Sequence, residues 1–172
     1  NYFLNNNLIP INNNLIDQIF KFKEKKTKPF YSLEKKIVGE THISKILKIA
    51  NYLKSCKADY LFVSAPENVA WLLNIRGYDN PNSPIPNARL IISKNKKLFL
   101  ITQKNNIKKI INEKKINQNN VIDIKDLPNL ILKLKGKNFI IDNKSCSIFY
   151  ESIIKSKFKV INKDDPIYKL KS

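Results

Sequence analysis

The sequence contains no methionine, one histidine, one tryptophan, two cysteines, two arginines and three glycines in 172 residues. Each scarcity closes a class of chemistry. Glycines at 39, 77 and 136 stand too far apart for a phosphate-cradling loop, and neither GxGxxG nor GxxxxGK[ST] occurs. A lone histidine leaves no partner for a two-histidine metal site, and a Ser/His/Asp or Cys–His arrangement would need that one ring in a built pocket. His42 instead follows Thr41, where a helix is expected to begin, and reads as an exposed first-turn residue. Cys56 and Cys146 have no CxxC spacing, which fits free thiols in a cytoplasmic protein better than zinc or a stapled secreted scaffold. No apolar run approaches the roughly 18 residues of a membrane span, so no membrane partner is expected. The N-terminus lacks the form of a signal peptide. With methionine missing even at position 1, the chain reads as a piece of a longer polypeptide.

Acid is the other scarcity. Fourteen Asp and Glu face thirty-two Lys and Arg, for a net charge of +18. Such a field attracts phosphate, which makes a lysine-rich polyanion binder one reading. Only Arg76 and Arg89 are arginine, however, and nucleic-acid surfaces favour the bidentate guanidinium fork. The lysines travel with Asn and Ile along the whole length, as an AT-rich coding sequence would supply them. Nucleic acid is therefore not the expected partner, and the lysine runs read as solvated faces.

What is present is an ordinary globular share of apolar residues, 42%, against 27% charged. Residues 14–20 read as a short helix capped by Asn14, and 21–32 as a linker. From Thr41, the residues Ile43, Ile46, Leu47, Ala50 and Leu53 fall on one helical face, with Ser44, Lys45, Lys48, Asn51 and Lys54 on the other. Tyr60-Leu61-Phe62-Val63 is a strand, and Pro66 opens a helix running to about Asn74. Residues 89–93 and 98–102 form a hairpin of two continuous apolar strands, which implies cover on both faces. Helices over 106–115, 126–135 and 145–155 then alternate with strands over 121–124, 139–141 and 158–161. Gly136 is expected to cap the second of these helices. Asp164-Asp165-Pro166 breaks the pattern, and the tail reads as the start of a linker. The fold class is α/β, with a mixed β-sheet covered by helices on both faces.

Carboxylates are too few and too scattered for a dinuclear metal centre. One segment stands apart: Asn74-Ile75-Arg76-Gly77-Tyr78-Asp79, beside a loop holding Pro81, Pro84 and Pro86. It is either a structural turn, with Arg76 paired to Asp79 and Gly77 at positive φ, or a loop presenting its side chains to a neighbouring domain or ligand.

The run from Ser64 through Pro66-Glu67-Asn68-Val69-Ala70-Trp71-Leu72-Leu73-Asn74-Ile75-Arg76-Gly77-Tyr78-Asp79, then Pro84 and a strand, resembles the middle domain of three-domain Xaa-Pro aminopeptidases (aminopeptidase P). The likeness continues in order. Residues 14–20 are similar to the helix joining the first and second domains of that family, Gly39 and Lys45 to the start of the middle domain's first helix, and Asp165-Pro166-Ile167 to its exit. The resemblance implies a creatinase N-terminal-domain-like fold over 33–163. Residues 1–32 would end a preceding domain and its linker helix, and 164–172 would begin the linker to a catalytic domain absent from this chain. It implies a parent metallopeptidase that releases the residue before proline, with two divalent metals, usually manganese, held by a C-terminal pita-bread domain. Catalytic residues and metal ligands would then lie outside this chain. The implied partners are that catalytic domain, the N-terminal domain and, for the parent, a second copy in a homodimer. Arg76, Tyr78 and Asp79 are the residues expected to wall the substrate cleft. A stand-alone binding module, or the remnant of a split gene, is the alternative.

Overall fold

Alternation of apolar side chains at period two builds the centre of the molecule. The computed structural model describes residues 9, 11, 15–20, 28–104 and 107–171. Strands β2 (Tyr60–Val63), β4 (Arg89–Ser93), β5 (Leu98–Ile101) and β7 (Asn138–Ile141) are each buried over nearly their whole length. With β6 (Val121–Ile122) and β8 (Lys159–Asn162) they form a six-stranded mixed sheet in the order β6-β5-β4-β2-β7-β8. The pairs β2/β4 and β4/β5 are antiparallel; β5/β6, β2/β7 and β7/β8 are parallel. A separate antiparallel pair joins β1 (Tyr31–Ser32) to β3 (Ile75–Arg76).

Because successive strand residues point to opposite faces, the apolar runs supply two cores. Leu61, Val63, Leu90, Ile92, Leu98, Leu100 and Ile140 pack on one side with residues of α3 (His42–Ser55), α4 (Pro66–Leu73), α5 (Lys108–Asn112) and α8 (Pro166–Lys171). Tyr60, Phe62, Ile91, Phe99, Ile101, Phe139 and Ile141 pack on the other with α6 (Leu127–Lys133) and α7 (Ile148–Lys155). There Phe158 meets Tyr60 and Phe139 edge-on at 5.6 and 5.3 Å, and those two rings stack at 5.2 Å. Helical cover on both faces is as the continuous apolar strands required. Two short helices precede the sheet, α1 (Leu15–Ile19) and α2 (Lys35–Val38); the expected cap Asn14 and most of 21–32 lie outside the described residues. No helix among those described is long and apolar enough to cross a membrane.

Several local readings change. In α3, Thr41 caps as expected, its hydroxyl accepting from the Ser44 N–H at 3.2 Å. The buried stripe, however, is Lys45, Ile46, Ile49, Ala50 and Leu53, while Ile43 and Leu47 are exposed. Centring the stripe on Ile49 turns Lys45 inward. His42 is half-buried rather than exposed. Its burial, then the charges of Lys115 and Lys45, hold its imidazole below the ordinary range.

Helix α5 ends at Asn112, because Lys114 takes a left-handed conformation (φ 55°) and turns the chain back. Gly136 does not cap α6, which stops at Lys133 with extended Leu134 as its cap. Gly136 (φ 145°) instead lies against Asp59, whose side chain a Cβ would meet at 2.9 Å. Asp59 ties three segments together, accepting from Lys94 Nζ at 2.7 Å and from the N–H groups of Lys137 and Asn138 at 2.7 and 3.0 Å.

The two ends of the domain are folded onto it. Phe30 is fully buried, and the segment after Asp164 is helix α8, which buries Ile167 between α3 and α4. Asp165 supplies the N-cap, its Oδ1 accepting from the Ile167 N–H at 2.9 Å, and Pro166 takes the first turn, where a missing N–H costs nothing.

Candidate functional site

The Asn74–Asp79 segment starts at the end of α4, and the manner of that ending places everything after it. Asn74 adopts the left-handed conformation (φ 53°, ψ 46°), which Asn tolerates better than most residues. Its buried amide is held at both ends: Nδ2 donates to the Glu40 carbonyl at 2.9 Å, and Oδ1 accepts from Lys45 Nζ at 2.7 Å. Lys45 Nζ also donates to the Trp71 carbonyl at 2.8 Å and sits 3.9 Å from the centre of the Trp71 ring. Lys115 Nζ donates to the Leu73 and Asn74 carbonyls at 3.1 and 2.9 Å. Arg76 Nη1 donates to the Ile75 carbonyl at 2.8 Å and, more distantly, to that of Ala70 at 3.5 Å.

Three cations, Lys45 on α3, Arg76 on β3 and Lys115 in the loop after α5, thus close the carboxyl end of α4, where the helix dipole is negative and α4 offers no basic residue of its own. Burial is the main reason that the Lys45 ammonium is pushed down to about 8; Arg76, Lys115 and Lys48 add to it while Glu40 opposes. Sequence reasoning missed Lys45 and Lys115 as parts of this arrangement. The signal for Lys45 was Ile49 one turn on, which with Ile46 and Leu53 moves the buried stripe toward position 45.

Beyond Asn74, the β1/β3 pair sets Tyr31 opposite Arg76. The Gly77 N–H donates to the Pro84 carbonyl at 3.0 Å. Gly77 has no positive φ. It is required for closeness, since a Cβ would lie 2.7 Å from Pro86 Cα. Arg76 and Asp79 do not form the expected turn pair: Arg76 folds back along α4, while Asp79 Oδ2 accepts from the Asn87 N–H at 2.6 Å. Tyr78 is 54% exposed and lies 5.0 Å from the Tyr31 ring. Between the start of α4 (Pro66, Glu67) and the loop (Asp79, Pro81, Ile85, Asn87) runs an open groove of about 430 Å³. The loop therefore leaves Tyr78 exposed beside Tyr31 and sets Asp79 at the groove, while Arg76 lies half-buried against the helix.

A second polar network docks α8. The Asn68 Nδ2 donates to Asp165 Oδ2 at 2.7 Å, Lys171 reaches Asn68 Oδ1, and the Asp165 N–H donates to Asp142 Oδ2 at 3.1 Å. Burial raises the Asp165 carboxyl, and the nearby Asp142 adds to this against the pull of its hydrogen bonds. Nearby, the loops leaving β2 and β7 touch through the Ser64 and Ser145 hydroxyls at 2.7 Å. Both cysteines are free, and burial pushes the Cys146 thiol up to about 11, away from nucleophilic use. Among the described residues no three of His, Cys, Asp and Glu converge to hold a metal ion, so these side chains do not fit a dinuclear centre.

The chain is 31% identical over 97 residues to Xaa-Pro aminopeptidase 1 of Dictyostelium discoideum, covering 52% of this chain and 16% of that protein. It is 32% identical over 83 residues to Aminopeptidase P2 of Arabidopsis thaliana, covering 47% and 12%. The chain thus spans about a sixth or less of the length of these relatives. Its fold matches that of the X-prolyl aminopeptidase of Caenorhabditis elegans, described as a cytosolic enzyme with a di-nuclear active site. That match has a TM-score of 0.70 at 20% identity and covers 91% of this chain and 27% of the other. An aminopeptidase P structure from Streptococcus thermophilus matches with a TM-score of 0.53 at 17% identity, over 76% of this chain and 96% of that one. A family model for the creatinase/prolidase N-terminal domain covers residues 22–172, and with the six-stranded mixed sheet in place, the chain belongs to that family.

Proposed function

We propose that the chain is the non-catalytic middle domain of a Xaa-Pro aminopeptidase, serving as scaffold and as part of the wall of the substrate cleft. Residues 1–32 are the approach from a preceding domain, and 164–172 lead toward a catalytic pita-bread domain. The observation that carries this reading is the braced loop: Asn74 is held by Lys45 and Glu40, Gly77 by Pro84, and Asp79 by Asn87, so Tyr78 and Asp79 are offered on a fixed edge. A wall that narrows a cleft to a free peptide end needs such rigidity, since a mobile loop would adjust to longer chains.

The two divalent metals of the reaction, manganese in this proposal, belong to the catalytic domain. They supply a water of lowered pKa for attack on the peptide carbonyl. This chain's own residues position and exclude.

The test is to express the gene with whatever coding sequence follows residue 172, and to assay release of arginine from Arg-Pro-Pro with manganese present. Turnover is expected, with Arg76→Ala lowering kcat/KM by about tenfold while the thermal midpoint changes little. The 172-residue chain alone is expected to show none. Manganese-dependent cleavage by the chain alone, or unchanged kinetics in Arg76→Ala, overturns the assignment of roles.

A further inference from the structure

Arg76 has more donors than the chain gives it acceptors. A guanidinium offers five N–H groups in a planar fork. Its Nη1 serves the Ile75 and Ala70 carbonyls. No other hydrogen bond of the side chain, and no ion pair to it, occurs among the described residues. Nε and Nη2 have no hydrogen-bond partner among the described residues, and Arg76 is half-buried on β3.

The surroundings sharpen this. Lys45 on α3 and Lys171 on α8 both feel the Arg76 charge. Burial is the main reason that both lysines hold their protons less tightly, and Arg76 contributes to both. The carboxylates within the neighbourhood are engaged elsewhere. Asp79 accepts from the Asn87 N–H, Asp165 from Asn68 and Ile167, and Glu67 from the Tyr168 hydroxyl. The carbonyls at the end of α4 carry only about half a negative charge, shared among three cations. A partly desolvated positive group with an open bidentate face is thus built into a fixed frame, and the matching shape is a carboxylate.

We propose that Arg76 is a docking site for the carboxylate of a peptide, received on Nε and Nη2. The proposal names the ligand chemistry of the cleft wall described above and rests on that reading for its biological setting. A C-terminal carboxylate and an Asp or Glu side chain share this chemistry.

Because the chain has only two arginines, the labelled protein has just two arginine Nε–H resonances, those of Arg76 and Arg89. Three blocked tripeptides serve as probes near neutral pH in about 0.15 M salt, where diffuse attraction is screened. One is Gly-Glu-Gly with both ends blocked, one is acetyl-Gly-Gly-Gly with a free carboxylate, and one is fully blocked Gly-Gln-Gly. The Arg76 signal is expected to shift saturably with at least one charged peptide and not with the neutral one, while Arg89 stays in place. Which charged peptide acts tells a terminal from a side-chain source. Arg76→Lys is expected to weaken binding by about tenfold, since a point charge cannot make the fork. An unmoved Arg76 resonance overturns the proposal, as do unsaturable shifts of both arginines together, which a general pull of the +18 chain would give. The readout requires no turnover. Loss of carboxylate binding therefore leaves the cleft-wall reading to the Arg-Pro-Pro assay, and an inactive parent leaves this site standing.

Discussion

The Lys45 ammonium is clasped by a single residue from two sides: it donates to the Trp71 carbonyl at 2.8 Å and lies 3.9 Å from the centre of the same residue's ring. Among the described residues no carboxylate forms an ion pair with it, and Glu40, whose charge favours it, is bound to Ser44 and Lys48. The charge is satisfied by a helix end, a π face and the Asn74 amide, an arrangement that orients well and solvates poorly.

That arrangement has a signature in pH. Burial pushes the Lys45 ammonium down to about 8 in the folded chain, below the ordinary 10.5 of a lysine. Between those values the unfolded chain holds the proton that the folded chain has released, so stability rises with pH across the window. Lys115 and Lys171, also held down by burial, act in the same direction. Urea midpoints are expected to rise from pH 8 to pH 10 by the equivalent of about 1–2 kcal/mol, and Lys45→Met is expected to remove most of that slope. A flat or falling profile in the parent chain contradicts the buried-cation account.

Gly77 and Gly39 separate two reasons for glycine. At Gly77 the backbone is ordinary, but a Cβ would sit 2.7 Å from Pro86 Cα, which is backbone and cannot swing away. At Gly39 there is open space but φ is +64°. Gly77→Ala is expected to cost about 1–3 kcal/mol by forcing the 77–87 loop apart, whereas Gly39→Ala costs about 1 kcal/mol through backbone strain alone. Thermal denaturation ranks them. Exchange of the Gly77 amide, bonded to Pro84, should speed up only in the Gly77 variant.

The sheet was legible because long apolar strands with no polar interruption can only be central, and period-two alternation then divides their residues between two cores. The helices on each face were legible in kind but not in extent. Asn, Lys and Ile recur so evenly that the pattern carries few stop signals, and the ends of α5 and α6 are set by Lys114 and Leu134, neither a residue type that announces a boundary. Asp165-Pro166 does announce one, as cap and first-turn proline, but two adjacent acids before a proline fit a linker equally well. The β1/β3 pair is two residues long, too short to show a period-two pattern, and the bond from the Leu33 N–H to the Asn74 carbonyl continues it. At the site, Arg76, Tyr78 and Asp79 were visible as residue types. Their frame was not, because Lys45 and Lys115 look like two among many solvated lysines until the folded chain brings them to the end of α4.

Asp59 is a carboxylate whose charge stabilises the fold and whose protonation by acid removes that contribution. Burial works against its charge, but Lys94 and the N–H groups of Lys137 and Asn138 together hold it below the usual range. A depressed carboxyl contributes stability above its unfolded value and loses it as pH falls through the folded one. Asp59→Asn is expected to lower stability at pH 7 by about 1–3 kcal/mol and to flatten the decline below about pH 4. Circular dichroism across an acid series distinguishes this from a surface effect, which would move the midpoint without changing the slope.

Asp165 carries the opposite sign. Its carboxyl is raised by burial, so ionisation costs stability as pH rises through the raised value. Yet its Oδ1 caps α8 and its Oδ2 anchors Asn68, so the side chain cannot simply be dispensed with. In Asp165→Asn the cap acceptor survives, but the new amide donor must face the Asn68 donor, and rotating Asn68 would turn its amide toward the Lys171 ammonium. In Asp165→Ala the cap and the anchor both go, at a cost of about 1–2 kcal/mol. Hydrogen exchange should then show α8 amides opening in both variants, faster in the alanine one, while β2 and β4 stay protected. Equal protection of α8 in Asp165→Ala and the parent chain would mean that Ile167 in the core, and not the polar network, is what holds the helix down.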